Sequence, residues 1–387
     1  MDAFSYIEQI PMWSKNKHSL AEVKDFLREM GDPQERFPAI HIAGTNGKGS
    51  VCAFLTSILR EAGCWTGTFV SPHLEDVRER FLLDGQMAGR EDLNQSFRRV
   101  YETAKRLQER GKDHPSYFEF LFYMAMELFA RRKVEAAVIE TGLGGRLDAT
   151  NALEAPVACA ITSIGLDHTQ YLGDTIGQIA WEKAGIIKPF IPVVYDASEP
   201  QAAARIRERA GELSAPAIPV SREDYRLLDE SSDGGFWISD KEGKRLFIPF
   251  EAPYQAANAM VAVKTARILR KRGFSITEEA IRRGIAQARW PGRMERAGEG
   301  FYLDGAHNPA GAAAFEQAAF EILKRTGKEA FLLFGAMEDK DYREMARILC
   351  RRIPWKEVGR PGFLRRVPVF NWRISESLKR KGVKAHD

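Results

Sequence analysis

Cysteine and long apolar runs are both scarce in this sequence. Its four cysteines, at positions 52, 64, 159 and 350, are far apart and form no Cys-x-x-Cys pair. This spacing argues against a zinc cluster or a disulfide framework and fits a reducing compartment. No apolar run approaches the roughly 20 residues that a membrane-spanning helix needs, and residues 1–17 lack the basic-then-apolar order of a signal peptide. The sequence therefore predicts a cytoplasmic protein with no membrane partner.

An excess of positive charge is also missing from most of the chain. The formal net charge is +4, but residues 351–387 hold eleven Lys/Arg and three Asp/Glu. Residues 1–350 consequently hold 46 basic and 50 acidic residues. Nucleic-acid binding needs a basic patch on a folded surface, so we predict no nucleic-acid partner.

Short apolar segments alternate with helical ones along the chain. The predicted strands 39–43, 66–70, 135–140 and 157–162 are separated by segments with helical spacing. This alternation predicts an α/β fold with a doubly wound, mostly parallel sheet. A length of 387 residues suits two domains. We place the first at residues 1–290, a linker at 291–297 and a smaller second α/β domain at 298–387.

A glycine-rich loop follows the first apolar strand. Residues 44–50 read GTNGKGS and precede a helical stretch. Strand, glycine-rich turn and helix is the arrangement that presents backbone N–H groups to a phosphate. Lys48 would add a positive charge, and Ser50 a hydroxyl for magnesium. The general P-loop pattern would need Gly at 42 and Ser or Thr at 49, where the chain has Ile42 and Gly49. The alternative is a glycine-rich turn with a surface lysine.

Three further polar residues follow predicted strands. Ser71, Glu140 and His168 stand at or after strand ends, and ligands of open parallel sheets collect at the carboxyl ends of strands. A hydroxyl, a carboxylate and an imidazole beside phosphates would suit magnesium, although imidazole is a less usual ligand. Alternatively, Ser71 only shapes the turn before Pro72, and His168 is a capped loop histidine after Asp167.

Two polar residues in predicted helical segments are further candidates. Lys183 lies among apolar neighbours at a helix end, where pairing with Glu182 or another acid is the simpler interpretation. Asn258 stands in a helical run and is either a surface residue or an anchor for a base.

The linker and the second domain contribute further candidates. Arg293 could clamp a phosphate between two domains. Asp304 and His307 follow a predicted strand and could line a cleft wall. The aromatic cluster after Ser116 is better explained as core than as a substrate slot, and Ser116 with Glu119 predicts a helical capping box.

The ordered motifs resemble those of the folylpolyglutamate synthase/dihydrofolate synthase family of the Mur-ligase superfamily. The motifs that carry the resemblance are HIAGTNGKGS (41–50), SPHL (71–74), ERF (79–81), SYFE (116–119), ETGLGGRLDATN (140–151), ITSIGLDH (161–168), EKAGI (182–186), PGR (291–293) and DGAHNP (304–309). They span roughly residues 38–345. The loop 44–50 is similar to the family's shortened phosphate loop.

This resemblance implies an ATP-dependent ligase that joins L-glutamate to a folate, or to dihydropteroate, through an acyl phosphate. The implied catalytic residues are Lys48, Glu140, His168 and Lys183, the last carbamylated. The implied ATP contacts are Thr45, Asn46, Gly47, Lys48, Gly49, Ser50, Asn258, Arg293 and Asp304. The implied magnesium ligands are Ser71, Glu140 and His168, with two magnesium sites expected and a monovalent cation as a further candidate.

The resemblance also implies substrate contacts. Ser116, Tyr117, Phe118, Glu119, Leu147, Asp148 and Ala149 would touch the pterin-bearing substrate, and His307 would lie near the incoming glutamate. We expect a monomer with small-molecule substrates.

Two stretches depart from the family pattern. Residues 19–23 differ near the N-terminus, and the family-like pattern ends near Cys350. The basic, proline-interrupted stretch 351–387 shows no strand–helix alternation and predicts an incomplete second domain with an exposed sheet edge. Two alternatives therefore stay open: a catalytically impaired nucleotide-binding relative, and a Mur-type ligase acting on another carboxylate. A P-loop kinase is the least favoured hypothesis.

Overall fold

The computed structural model describes residues 3–11, 18–231, 234–298, 300–337, 340–359 and 384–385. Strands and helices alternate through most of these ranges. The strands are β1 (Ala39–Ala43), β2 (Thr66–Phe69), β3 (Phe81–Leu83), β4 (Gln86–Met87), β5 (Ala136–Glu140), β6 (Ala158–Ile161), β7 (Val193–Asp196), β8 (Ala217–Val220), β9 (Tyr225–Glu230), β10 (Phe236–Asp240), β11 (Arg245–Ile248), β12 (Glu295–Gly298), β13 (Phe301–Leu303), β14 (Phe331–Leu333), β15 (Glu357–Gly359) and β16 (Lys384–Ala385). The helices are α1 (Ala3–Gln9), α2 (Leu20–Glu29), α3 (Lys48–Glu61), α4 (Arg90–Glu109), α5 (Tyr117–Arg131), α6 (Thr169–Leu172), α7 (Ile176–Ala184), α8 (Pro200–Glu212), α9 (Gln255–Lys271), α10 (Glu278–Gln287), α11 (Pro309–Thr326) and α12 (Tyr342–Leu349).

The large sheet has the order β4-β3-β2-β5-β1-β6-β7-β8. Strands β2, β5, β1, β6, β7 and β8 run parallel, and β3 and β4 add an antiparallel edge. The predicted doubly wound, mostly parallel sheet is therefore confirmed. Because β2, β5, β1 and β6 are neighbours, the loops at their carboxyl ends lie side by side.

Helices cover both faces of this sheet. On one face α4 and α5 pack an aromatic-rich core that includes Phe120 and Phe122, which are fully buried. On the other face α3, α9 and α10 pack against the central strands. The predicted capping box at the start of α5 is present, with the Ser116 N–H donating to Glu119 Oε2 at 2.8 Å. The aromatic cluster is thus mainly core, as predicted.

The second domain begins with the antiparallel pair β12–β13 and continues with the parallel strands β14, β15 and β16. β12 occupies Glu295–Gly298, inside the stretch assigned to the linker and its end. The sequence indicated no strand after Cys350, yet β15 pairs with β14 there. Arg352 contributes to this placement, since its guanidinium donates to the buried Glu316 carboxylate of α11. Residues 360–383, on which the predicted incompleteness mainly rests, lie outside the described residues.

Apolar side chains of β13 and β14 are exposed. Phe301 and Leu303 of β13 and Phe331 and Leu333 of β14 occupy alternate positions and are 44–62% exposed. A cavity of about 1050 Å³ lies beside these strands and α11. The predicted incomplete second domain is compatible with this exposure and stays a prediction. Each helix within the described ranges is too short or too polar to cross a bilayer.

Candidate active site

The phosphate loop joins β1 to α3 and is fixed by the loop that follows β6. The backbone N–H groups of Thr45 and Asn46 donate to Ser163 O at 2.9 and 3.3 Å. The Thr45 hydroxyl donates to Gly165 O at 3.1 Å. The first turn of α3, which begins at Lys48, supplies N–H groups without intrahelical acceptors, and such groups bind anions.

Glycine is required in this loop for conformation and for space. Gly47 has φ 90°, in the left-handed region, and a Cβ there would lie 2.3 Å from Asn258 Oδ1. A Cβ at Gly49 would lie 2.6 Å from the Trp290 ring. The departure from the general P-loop at position 49 therefore has a steric reason, because the Trp290 ring occupies the space that a Ser or Thr side chain would need.

We expect Gly47→Ala to weaken binding of an ATP analogue by about tenfold or more. The left-handed conformation costs a non-glycine residue about 1–2 kcal/mol, and the added methyl displaces the Asn258 amide. Isothermal titration with the analogue measures the effect. Gly63→Ala is the matched control, since Gly63 also has positive φ (77°) but no atom lies within 4 Å of its would-be Cβ. Equal affinities of the two variants and the native protein would contradict the expectation.

Glu140, at the end of β5, is a buried carboxylate next to the phosphate loop. Its side chain is 3% exposed, its Oε1 lies 3.8 Å from Lys48 Nζ, and its Oε2 accepts the Ser71 N–H at 3.2 Å. Burial raises the pKa of Glu140, and Lys48 partly opposes that rise. Lys48 Nζ also donates to Gly44 O and Thr45 O at 3.2 and 3.3 Å. The loop lysine and the strand-end carboxylate thus meet, as the sequence predicted.

Lys183, in α7, reaches the same loop from the other side. It is 4% exposed, and its Nζ donates to Gly44 O at 2.7 Å. Burial, with a contribution from Lys48, lowers the pKa of Lys183 to about 7. Of the predicted acidic partners, Glu182 is excluded because it pairs with Arg146 at 2.8 Å. A large fraction of Lys183 is therefore an uncharged amine at neutral pH.

His168 lies on the loop after β6, before α6. It adopts φ 49°, its side chain is 26% exposed, and its Nε2 lies 3.8 Å from Asp167 Oδ1. Burial lowers the pKa of His168 to about 4, and the Asp167 carboxylate opposes that shift. The imidazole is consequently neutral at physiological pH, which is the form that binds a metal. Lys340, Lys183 and Lys48 also lower the pKa of His168, so His168 lies within electrostatic range of two of the other predicted catalytic residues.

Asn258 contacts the phosphate loop from α9. It is 5% exposed, which excludes the surface interpretation. Its Nδ2 donates to Gln255 Oε1 at 2.9 Å, and Gln255 Nε2 donates to Ser50 Oγ at 3.1 Å. Ser50 is therefore buried in a hydrogen-bond chain that ends at α9.

The linker and the second domain contribute Arg293, Asp304 and His307. Asp304 Oδ2 accepts Met294 N at 2.8 Å and the Tyr254 hydroxyl at 3.3 Å. Arg293 is close enough to Glu140 and Asp304 to favour their ionised forms. His307 Nε2 lies 3.7 Å from Asp167 Oδ2, so the second domain brings a histidine to the loop that carries His168.

The residues assigned to the pterin-bearing substrate include two carboxylates and several apolar or aromatic side chains. The carboxylates of Glu119 and Asp148 are buried and already engaged: Glu119 accepts Ser116 N and lies 2.9 Å from His18 Nδ1, and Asp148 accepts Thr150 N and Leu143 N. The apolar members differ, since Leu147 is 51% exposed whereas Tyr117 and Ala149 are buried. The ring of Phe118 packs against Gly142. Their contact with a substrate stays a prediction.

Sequence reasoning missed several residues of this region. Asp167 accepts Asn308 Nδ2 at 2.8 Å and Lys340 Nζ at 3.2 Å. Arg80 is 5% exposed, donates to His73 Nδ1 at 2.8 Å and stacks over the Tyr117 ring at 5.4 Å. The position of Arg80 inside the ERF motif could have identified it as a candidate. No sequence pattern indicates the contacts of Asp167 with Asn308 and Lys340.

The donor set fits a magnesium ion that is shared with nucleotide phosphates. In the described ranges, no cluster of three His, Cys, Asp or Glu residues could hold a metal by itself. Magnesium usually needs only one or two protein carboxylates, together with waters and substrate phosphates. The buried Glu140 and the adjacent Ser71 supply oxygen ligands beside the phosphate loop, so the residues present fit the predicted ion.

Known proteins resemble this chain in sequence and in fold. Residues 42–266 match the Mur ligase middle domain, which places the chain among the Mur ligases. It is 36% identical over 347 residues to the dihydrofolate synthase/folylpolyglutamate synthase of Bacillus subtilis, covering 86% of this chain and 79% of the relative. It is 32% identical over 360 residues to the folylpolyglutamate synthase of Lacticaseibacillus casei, covering 89% and 81%. A solved FPGS–AMPPCP–folate complex superposes with a TM-score of 0.85 at 30% identity, covering 99% of this chain and 94% of that one. The chain belongs to the dihydrofolate synthase/folylpolyglutamate synthase family.

Proposed function

We propose that this protein is an ATP-dependent amide ligase that joins L-glutamate to a folate. The observation that carries the proposal is the convergence of Lys48, Glu140 and Lys183 on one glycine loop at the carboxyl ends of adjacent parallel strands. Family membership supports it, as does the similarity to an enzyme solved with AMPPCP and folate. Dihydropteroate is a second acceptor, since the Bacillus subtilis relative is named for both activities.

The reaction needs an activated carboxylate, because a carboxylate ion is a poor acylating agent. Its oxygen attacks the γ-phosphorus of ATP, the bond to the β–γ bridging oxygen breaks, and ADP leaves with an acyl phosphate formed. The amine of L-glutamate then attacks the acyl carbon, loses a proton, and expels inorganic phosphate. Lys48 and the N-terminus of α3 neutralise charge on the transferred group, and positioning supplies most of the remaining rate.

Magnesium would be held by Ser71, Glu140 and His168 together with the nucleotide phosphates. When bound, the ion neutralises phosphate charge and aligns the γ-phosphoryl group. Two magnesium sites and a monovalent cation site are proposed on the resemblance to the family. The buried Glu140 carboxylate supports at least one of them, because an ionised carboxylate in this environment is stabilised by a nearby cation.

Carbamylation of Lys183 would supply a second anionic group. An unprotonated amine attacks CO2, forms a C–N bond and releases a proton, which yields a carbamate. Burial supports this step, since it lowers the pKa of Lys183 to about 7 and leaves an uncharged amine at neutral pH. The carbamate would place a negative charge beside Lys48 and support the second metal site.

The remaining site residues are assigned to ATP, the acceptor and glutamate. ATP would contact residues 45–50, with Asn258 and Arg293 beside it and Asp304 at its ribose. The acceptor would lie along residues 116–119 and 147–149, and glutamate near His307. We propose a monomer of two domains, residues 1–290 and 298–387, acting in the cytoplasm.

A direct assay tests the proposal. Purified protein is incubated with ATP, magnesium and labelled L-glutamate, with folate or dihydropteroate as acceptor. We expect a labelled product that requires all three substrates. ATP hydrolysis that no acceptor stimulates would contradict it, and nucleotide binding without ligation would favour the impaired relative. Mass spectrometry of products formed from other carboxylates would detect a different Mur-type specificity.

A further inference from the structure

Asn308, the residue before α11, joins the second domain to two loops of the first. It is 1% exposed, and its Oδ1 caps α11 by accepting Gly311 N at 2.8 Å. Its Nδ2 donates to Asn46 Oδ1 of the phosphate loop at 3.0 Å and to Asp167 Oδ2 at 2.8 Å. Asn46 Nδ2 donates back to Asn308 Oδ1 at 3.2 Å. One side chain therefore serves both as a helix cap and as a connection between domains.

Neighbouring contacts reinforce this connection. Lys340, also from the second domain, donates to Asp167 Oδ1 at 3.2 Å with its side chain 14% exposed. A Cβ at Gly165 would lie 3.2 Å from Ala310 Cβ, so the loop after β6 and the start of α11 approach closely. Buried hydrogen bonds to a charged acceptor are among the stronger polar contacts in proteins.

We propose that Asn308 is a positioning residue that latches the second domain onto the phosphate loop and so protects the acyl phosphate from water. This proposal rests on the proposed function. The latch contacts Asn46 directly, so the placement of the second domain, which carries His307, depends on the loop that would hold the ATP phosphates.

A loosened latch has a defined chemical consequence. If water attacks the acyl phosphate in place of glutamate, the acceptor carboxylate and inorganic phosphate are regenerated and ATP has been hydrolysed without amide formation. The ratio of ADP formed to amide formed measures this leak. A loss of general stability lowers both products together and leaves their ratio unchanged.

Asn308→Ser should remove the contact between the domains and keep the N-terminal cap of α11. Serine is a good N-cap residue, but its hydroxyl is too short to reach Asp167 as well. We expect a rise of about fivefold or more in the ADP-to-amide ratio and a higher KM for glutamate, because a hydrogen bond to a charged acceptor corresponds to roughly tenfold or more in an equilibrium. Gln317→Ala, at an exposed position of the same helix, is the control and keeps the native ratio. A native ratio in Asn308→Ser would overturn the proposal.

A charge swap provides a second test. Asn308→Asp keeps a capping carboxylate but places it against the Asp167 carboxylate, so it should raise the ADP-to-amide ratio further. The double variant Asn308→Asp with Asp167→Asn removes this repulsion and should lower the ratio again. A double variant no better than Asn308→Asp would count against the latch. If the native protein forms no amide at all, the proposed function fails. Small-angle scattering in the presence of AMPPCP then tests the contact between the two domains independently of activity. The latch then predicts a larger radius of gyration for Asn308→Ser than for the native protein, and equal radii would refute it.

Discussion

Replacing Lys183 with methionine lowers the rate of amide formation by about 100-fold or more. The buried Nζ donates to the Gly44 carbonyl of the phosphate loop and is the proposed carbamylation site. Losses of 10–100-fold are typical when one group that supports a metal site is removed, and here the loop contact is lost as well. Methionine fills a similar volume, so the free energy of unfolding should change by only about 1–2 kcal/mol.

Lys188→Met is the matched control for this substitution. Lys188 is also partly buried, but its Nζ donates to Asn151 O and Oδ1, away from the phosphate loop. We expect its activity to stay within a few-fold of native. The measurement is steady-state amide formation with and without added bicarbonate, where the native protein responds and Lys183→Met does not. Comparable activity of the two variants would contradict the role of Lys183.

The lowered pKa of Lys183 also predicts a pH dependence of stability. The folded pKa of about 7 lies below the ordinary 10.5, so the unfolded chain binds one more proton between these values. The native protein therefore loses stability as the pH falls from about 10.5 to 7, and Lys183→Met lacks this contribution. Denaturant titrations of both proteins at several pH values measure the difference.

Glu140→Gln should lower the rate of amide formation severely while preserving the fold. Glu140 is the one buried carboxylate that contacts Lys48 within the described ranges, and it supplies the best magnesium ligand of the proposed set. We expect a loss of about 1000-fold, in the range of removing a principal electrostatic group from an active site. Burial raises the pKa of Glu140 above 4.5, so its ionised form disfavours folding at neutral pH. The neutral amide should therefore leave the unfolding midpoint unchanged or raise it.

Glu182→Gln is the corresponding control. Glu182 stands in the EKAGI motif next to Lys183, but it pairs with the partly exposed Arg146. Exposed pairs contribute only about 0–1 kcal/mol, so activity should change little. The comparison uses amide formation over a range of magnesium concentrations, together with thermal unfolding. A Glu140→Gln enzyme that retains native magnesium dependence would rule out Glu140 as a ligand.

The features that the sequence predicted were those encoded in continuous segments. The phosphate loop, the strand ending at Glu140 and the capping box at Ser116 each depend on local spacing, so pattern and turn chemistry were sufficient. Placing the loop, Ser71, Glu140 and His168 together needed only the rule that parallel strands present their carboxyl ends at one edge. That expectation was met because β2, β5, β1 and β6 are adjacent.

The features that could not be predicted depend on pairings between distant segments. Asn308 and Asp167 are separated by 141 residues, and no local pattern relates a helix cap in one domain to a loop carboxylate in another. Lys183 illustrates the same limit, since its sequence neighbour Glu182 was the obvious partner but its side chain reaches Gly44 instead. Burial, which sets the pKa of Lys183, is a property of the assembled fold.

Oxygen transfer from acceptor to phosphate tests the central claim most directly. The acceptor is prepared with 18O in its reacting carboxylate, and the inorganic phosphate released during ligation is analysed by mass spectrometry. If the acceptor attacks the γ-phosphorus of ATP, one labelled oxygen appears in phosphate for each amide formed. Unlabelled phosphate accompanying amide formation would contradict the acyl-phosphate mechanism.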